Sequence, residues 1–180
     1  MVRPRSALVL DRRGDRRGVD HCRDRRRDCG CDVSKQKAKG TAYEHAVLMF
    51  LREHGVNAER VALHGSRDEG DLRVIARGMR VVIECKDVRN AGAANVQRWR
   101  DETDAERGNA DADAAILVRH VPGNGKARRG ADECQMTLRD LWRITGTTFP
   151  ATFSVADPDD EWVTVGLAQV ARWLGRLEEA

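Results

Sequence analysis

From Thr41 onward the apolar residues fall into short patterns with a clear period. Tyr43, Ala46, Val47, Phe50 and Leu51 recur at i, i+3, i+4, i+7 and i+8. That spacing predicts one face of a helix, with Thr41 as its N-cap and Gly55 as its end. Residues 60–64, 72–76 and 80–86 read as strands, separated by a polar turn over 65–70 and by a turn at Gly78. Residues 93–107 read as a second helix closed by Gly108-Asn109, and 114–119 (AAILVR) as a buried strand. The order is α-β-β-β-α-β. The segment 122–130 holds three glycines and reads as a loop. Beyond it the pattern predicts a strand over 134–137 and a short helix over 138–144. Two strands, 151–156 and 161–165, flank the turn Asp157-Pro158-Asp159-Asp160, and a final helix is striped by Leu167, Val170, Ala171, Leu174 and Leu177.

The first 38 residues carry almost no such pattern. Arg and Asp alternate from Asp11 to Asp32 with little to bury, so composition alone predicts a disordered basic leader. Residues 1–40 carry 13 Lys+Arg against 6 Asp, while the remainder is mildly acidic within an overall net charge of +3. A basic arm on a mildly acidic body suits contact with nucleic acid through local patches and not over the whole surface. The chain has no run of about 18 apolar residues and no secretory pattern at its start, so a membrane span is excluded and a cytoplasmic location is expected. Five cysteines, an odd number without a regular framework, exclude a disulfide scaffold. His21, Cys22, Cys29 and Cys31 do not have the spacing of a known zinc module.

The chemistry concentrates at one strand end. Glu84-Cys85-Lys86 closes an otherwise apolar strand, and alternation puts Glu84 and Lys86 on one face and Ile83 and Cys85 on the other. If 72–76 and 80–86 form a hairpin about Gly78, Asp71 lies opposite that end. Two carboxylates a few ångströms apart repel, and a divalent cation reconciles them most readily. A Mg²⁺ ion on one or two carboxylates, with waters left on it, is an arrangement that cleaves phosphodiesters. Lys86 would steady the attacking water or the charge of the transition state. Glu44 borders the apolar stripe of the first helix and adds a third inward carboxylate. Of the 32 basic residues only five are lysines, three of them within 35–39 and one in the 122–130 loop, so Lys86 stands alone in the folded core. Arg67, Lys126, Arg128 and Arg129 lie in polar loops and are candidate phosphate contacts. Gln97 is a weaker candidate helper on the second helix. Trp99 reads as core, and His64 and His120 as hydrogen-bonded histidines near strand ends.

Gly70-Asp71-(x12)-Glu84-x-Lys86, with Glu44 on the preceding helix, resembles the PD-(D/E)XK nuclease superfamily. Within it the chain is most similar to the archaeal-type Holliday junction resolvases and their bacteriophage relatives. Their pattern reads here as Lys39-Gly40, Glu44, Arg60, Gly65-Ser66, Asp71 and Glu84-x-Lys86, over about residues 39–120. The resemblance implies a restriction-endonuclease-like αβββαβ core with a mixed central sheet, and Mg²⁺-dependent hydrolysis, with Mn²⁺ as a substitute. It also implies a homodimer acting on branched DNA, metal roles for Asp71 and Glu84 with Glu44 completing the site, and a catalytic role for Lys86. Arg60 and Ser66 join the candidate DNA contacts through it. The expected organisation is a leader over 1–38, a nuclease domain over 39–145, and a hairpin and helix over 146–180 packed on that domain. The chain departs from the pattern in carrying His45 after Glu44 where relatives carry Arg, a short Ser66–Asp71 spacing, and Gly70 in place of the proline. The alternatives are a nuclease of the same superfamily with another DNA target, and a DNA-binding module without catalysis.

Overall fold

The computed structural model describes residues 21–62, 68–147 and 157–175, with the side chains of 21–33 outside that description. By its internal contacts the chain divides into two units, Met1–Lys37 and Ala38–Ala180. Helix α1 runs His21–Glu53, so Gly40 and Thr41 lie inside it and not at its start. The segment 21–38, read from composition as part of an unstructured leader, is therefore helical backbone. No proline interrupts it, and its Arg, Lys, Gln and Ala residues favour helix, while Gly30 and Gly40 each weaken it by about 1 kcal/mol. His21, Cys22, Cys29 and Cys31 fall among the side chains outside the description.

The Ala38–Ala180 unit is built on a six-stranded sheet in the order β1-β2-β3-β4-β5-β6. The strands are β1 (Ala58–Arg60), β2 (Leu72–Ala76), β3 (Met79–Lys86), β4 (Ala114–Arg119), β5 (Glu133–Thr137) and β6 (Trp162–Gly166). The helices after α1 are α2 (Ala93–Asn109), α3 (Leu138–Thr145) and α4 (Leu167–Gly175). Only β3 and β4 are parallel, joined through α2, and every other neighbouring pair is antiparallel. The α-β-β-β-α-β order and the mixed sheet are those expected. The first strand sits earlier than the 60–64 expectation. Residues 126–131, expected in a loop, form a short 3-10 helix, Lys126–Ala131. β6 pairs with β5, and the proposed partner segment 151–156 lies outside the described residues.

Strand alternation divides the core. Val81, Ile83 and Cys85 of β3 join Leu72, Val74, Ile116, Val118 and Met136 on one face, under Val47 and Leu51 of α1 and Val170 and Leu174 of α4. Val82, Glu84 and Lys86 alternate with them onto the other face. There α2 contributes the buried residues Trp99, Thr103 and Glu106. Helix α3 starts on a capped turn, with the Thr137 hydroxyl accepting from the Asp140 N–H, and ends at Gly146 in the left-handed region (φ 66).

A second, fully satisfied polar cluster fixes α1 to the ends of the central strands. Asp132 is wholly buried and accepts from the Tyr43 hydroxyl, the Val121 N–H, the Asn124 amide and the Arg129 guanidinium. The Arg129 guanidinium also lies over the Tyr43 ring, 5.0 Å from its centroid. Removing one partner of such a buried pair strands the other, which costs about 3–5 kcal/mol. Urea unfolding of Asp132→Ala is expected to show a loss of that size, whereas Ile75→Ala, at a position 42% exposed, shifts stability by no more than about 0.5 kcal/mol.

Candidate active site

The hairpin brings the acids together. The β2–β3 register pairs Leu72 with Ile83 and Ala76 with Met79, and Arg77 (φ 51) and Gly78 (φ 75) turn the chain between them. Asp71 extends the same ladder: its N–H donates to the Ile83 carbonyl and its own carbonyl accepts from the Val61 N–H. Its carboxylate accepts from the Cys85 N–H at 2.8 Å, which anchors Asp71 beside the Glu84–Lys86 end of β3. Glu84 is buried, and the Lys86 ammonium reaches Glu84 Oε1 at 2.5 Å and Glu102 Oε2 at 3.2 Å. Glu44 arrives from α1, half-buried, and its carboxylate forms an ion pair with Arg60 at the end of β1.

Burial dominates the electrostatics. It pushes Asp71 up to about 7, helped by the neighbouring charge of Glu84 and only partly opposed by the Cys85 N–H. Glu84 is also pushed up to about 7, first by burial and then by Glu106, against the pull of Lys86. The charge of Glu84 raises Asp71, so the two carboxyls titrate as a coupled pair. Burial by itself would lower Lys86, but Glu84 and Glu102 outweigh it and push the ammonium up to about 12. Lys86 therefore stays charged through the physiological range. Glu44 is raised by burial and by Asp71, with Arg60 opposing.

The donor set fits a hard divalent cation. Asp71 and Glu84 are oxygen donors whose mutual repulsion a cation would relieve, with water completing the shell, as Mg²⁺ prefers. No group of three or more His, Cys, Asp or Glu side chains forms a ready-made cage among the described residues. Cys85 faces the opposite side as a buried thiol, its pKa pushed well up by burial, as expected of an inert core cysteine.

The other candidates scatter. Ser66, Arg67 and His64 lie outside the described residues. Lys126 and Arg128 are exposed on the 3-10 helix, whereas Arg129 is held by Asp132. Gln97 donates to Asp101 on the exposed side of α2, and Trp99 is core. His120 lies between the Asp87 carboxylate and the Asn124 carbonyl, each at 2.8 Å. Asp87 follows Lys86 directly. His120 and Lys39 hold it below the usual carboxylate range, against the effect of burial. Two acids of α2, Glu102 and Glu106, were not singled out by sequence. The signal for Glu106 was its spacing: Trp99, Thr103 and Glu106 fall at i, i+4 and i+7, one helical face.

The αβββαβ core thus carries paired carboxylates and a lysine at one strand end, a donor set suited to a divalent cation. Residues 35–100 match the family model described as archaeal Holliday junction resolvase (hjc), a stretch that contains Lys39, Glu44, Arg60, Asp71, Glu84 and Lys86. Over that stretch the chain is similar to those resolvases. Among solved structures it is similar to Hjc, a Holliday junction resolvase from the archaeal hyperthermophile Archaeoglobus fulgidus. That similarity is 21% identical, with a TM-score of 0.36, and covers 48% of this chain and 68% of that one. No curated protein matches.

The raised carboxyls make the site's stability depend on pH. Asp71 and Glu84 hold protons more tightly folded than unfolded, where carboxyls titrate near about 4. Their contribution is therefore present in acid and is lost as pH rises through about 7. In EDTA, the Tm of wild type is expected to fall relative to that of Asp71→Asn between about pH 5 and 8. Mg²⁺ is expected to raise the wild-type Tm more at pH 8 than at pH 6. Parallel Tm curves for the two proteins would contradict the assignment.

Proposed function

We propose that this protein is a Mg²⁺-dependent endonuclease that works as a homodimer and cuts four-way DNA junctions. The observation that carries the reading is the convergence of Asp71, Glu84 and Lys86 at one end of β3, with more buried negative charge than the single lysine neutralises. Asp71 and Glu84 would hold the cation, with Glu44 completing the site beside Arg60. When bound, the ion would supply Lewis-acid polarisation of a phosphoryl oxygen and a lowered pKa for a water, and Mn²⁺ has the hardness to replace it.

The chain's own groups do the rest. Lys86 is fixed by Glu84 and Glu102 and keeps its proton, so it acts as a hydrogen-bond donor and positive charge toward the attacking water and the transition state, and not as a base. The Cys85 N–H holds the Asp71 carboxylate in place. Arg60, Ser66, Arg67, Lys126 and Arg128 are the proposed phosphate contacts, with Arg129 supporting the surface from its ion pair with Asp132. A four-way junction has two equivalent strands to cut, and a two-fold dimer presents two equivalent sites. DNA as substrate places the enzyme inside the cell.

Cleavage of a labelled four-way junction beside a linear duplex of the same sequence tests the reading, each with Mg²⁺ or EDTA. Paired symmetric nicks on the junction alone are expected. EDTA should abolish them, and Lys86→Ala should slow them by about 10²–10³-fold. Duplex cutting would retain the nuclease and discard the junction. Metal-independent junction binding without cleavage would leave a binding module.

A further inference from the structure

We infer that Glu106 of α2 is a cation-holding carboxylate of this site, a further acid facing the divalent ion beside Asp71 and Glu84. The inference rests on the metal-dependent reading above and assigns a residue outside the Glu-Asp-Glu-x-Lys set.

Glu106 is 4% exposed, and its Oε2 is buried without a hydrogen-bond partner among the described residues. A buried carboxylate oxygen is normally paired, because leaving water without a new partner is costly. The fold offers Glu106 little compensation. Asp68, Asp71 and Glu102 surround it with like charge, and it in turn acts on Glu84. Lys86 acts on it with opposite charge, but its ammonium is already engaged by Glu84 and Glu102. Glu44 contrasts with it, because Arg60 already pairs with that carboxylate. Of the acids around Asp71 and Glu84, Glu106 is thus the one with a buried oxygen left over.

Glu106 also lies against the backbone just before Asp71. Oε2 of Glu106 lies 3.4 Å from where a Cβ on Gly70 would stand, and Val82 Cγ1 lies 2.5 Å from that same point. Gly70 sits at φ 82, where a side chain is strained whatever the space. It immediately precedes Asp71, at the position of the proline in the superfamily pattern. That φ and the closeness of Val82 call for glycine there, a proline ring could not adopt the φ, and the Glu106 carboxylate stands at contact distance from the residue that precedes Asp71.

The competing account is a neutral carboxylic acid that only packs. Gln reproduces the shape and polarity of that neutral form but is a poorer cation ligand without charge, so Glu106→Gln separates the two. Mn²⁺ binding to the full chain without DNA would be read from the electron paramagnetic resonance signal of the free ion. Wild type, Glu106→Gln, Glu44→Gln and Asp71→Asn would be compared, with circular dichroism in EDTA confirming the fold. Glu106→Gln is expected to weaken Mn²⁺ binding by about tenfold or more, and by more than Glu44→Gln does. Wild-type affinity in Glu106→Gln, or a loss confined to Glu44→Gln, overturns the inference. Failure of wild type itself to bind Mn²⁺ overturns the metal-dependent reading and this assignment with it. If Glu106→Gln does not fold, Glu106→Asp keeps the charge but withdraws it by one methylene. That variant is expected to weaken binding several-fold, and unchanged affinity there overturns the assignment equally.

Discussion

The controlling constraint is the repulsion between carboxyls held out of water at the end of β3. Asp71 and Glu84 are kept there by backbone: one by an extended ladder and the Cys85 N–H, the other by its place in a central strand. The surrounding elements must therefore accommodate the charge. Lys86 is the internal counter-charge, Arg60 deals with Glu44, and the Glu106 carboxylate packs beside Gly70. A site in this state is poorly matched to itself and well matched to a divalent cation.

The opposite condition holds a short distance along the same strands. Asp132 is as deeply buried as any group in the protein, yet four donors meet it. Through Tyr43 and Arg129 this cluster ties α1 to the 3-10 helix. Tyr43 neighbours Glu44 in sequence, and Lys39 on the same helix reaches Asp87, next to Lys86. The ring of His120, on Asp87, lies 5.3 Å from that of Tyr43. The satisfied cluster thereby gives the unsatisfied one a rigid frame: α1 is anchored at Lys39 and at Tyr43, next to Glu44, and the chain leaving Lys86 is held by Lys39 and His120. Placing strained electrostatics on well-packed elements is how a site keeps its geometry without its ligand.

Much of this was legible in the sequence, for reasons of period. Strand alternation fixes that Glu84 and Lys86 share a face and that Cys85 turns inward, wherever the strand lies. A two-residue turn at Arg77-Gly78 fixes the register that sets Asp71 across from that end. The helical stripe from Tyr43 to Leu51 fixes which side of α1 is core and brings Glu44 to its border. The likeness to resolvases rested on the same residues. The start of α1 was not legible, because a charge-rich segment carries no apolar period even when its backbone is helical.

Tertiary structure alone decided how the charges are paired. Sequence could not show that Arg60, sixteen residues on, pairs with Glu44, or that Arg129, which read as a loop cation for DNA, is the partner of buried Asp132. It could not show that an acid on α2, a helix polar on most of its surface, is buried beside Gly70. The physical reason is one of range. Side-chain direction follows from the local geometry of the backbone and repeats every two or 3.6 residues. The burial and partners of a charge depend on which distant elements close over it, and no local period records that.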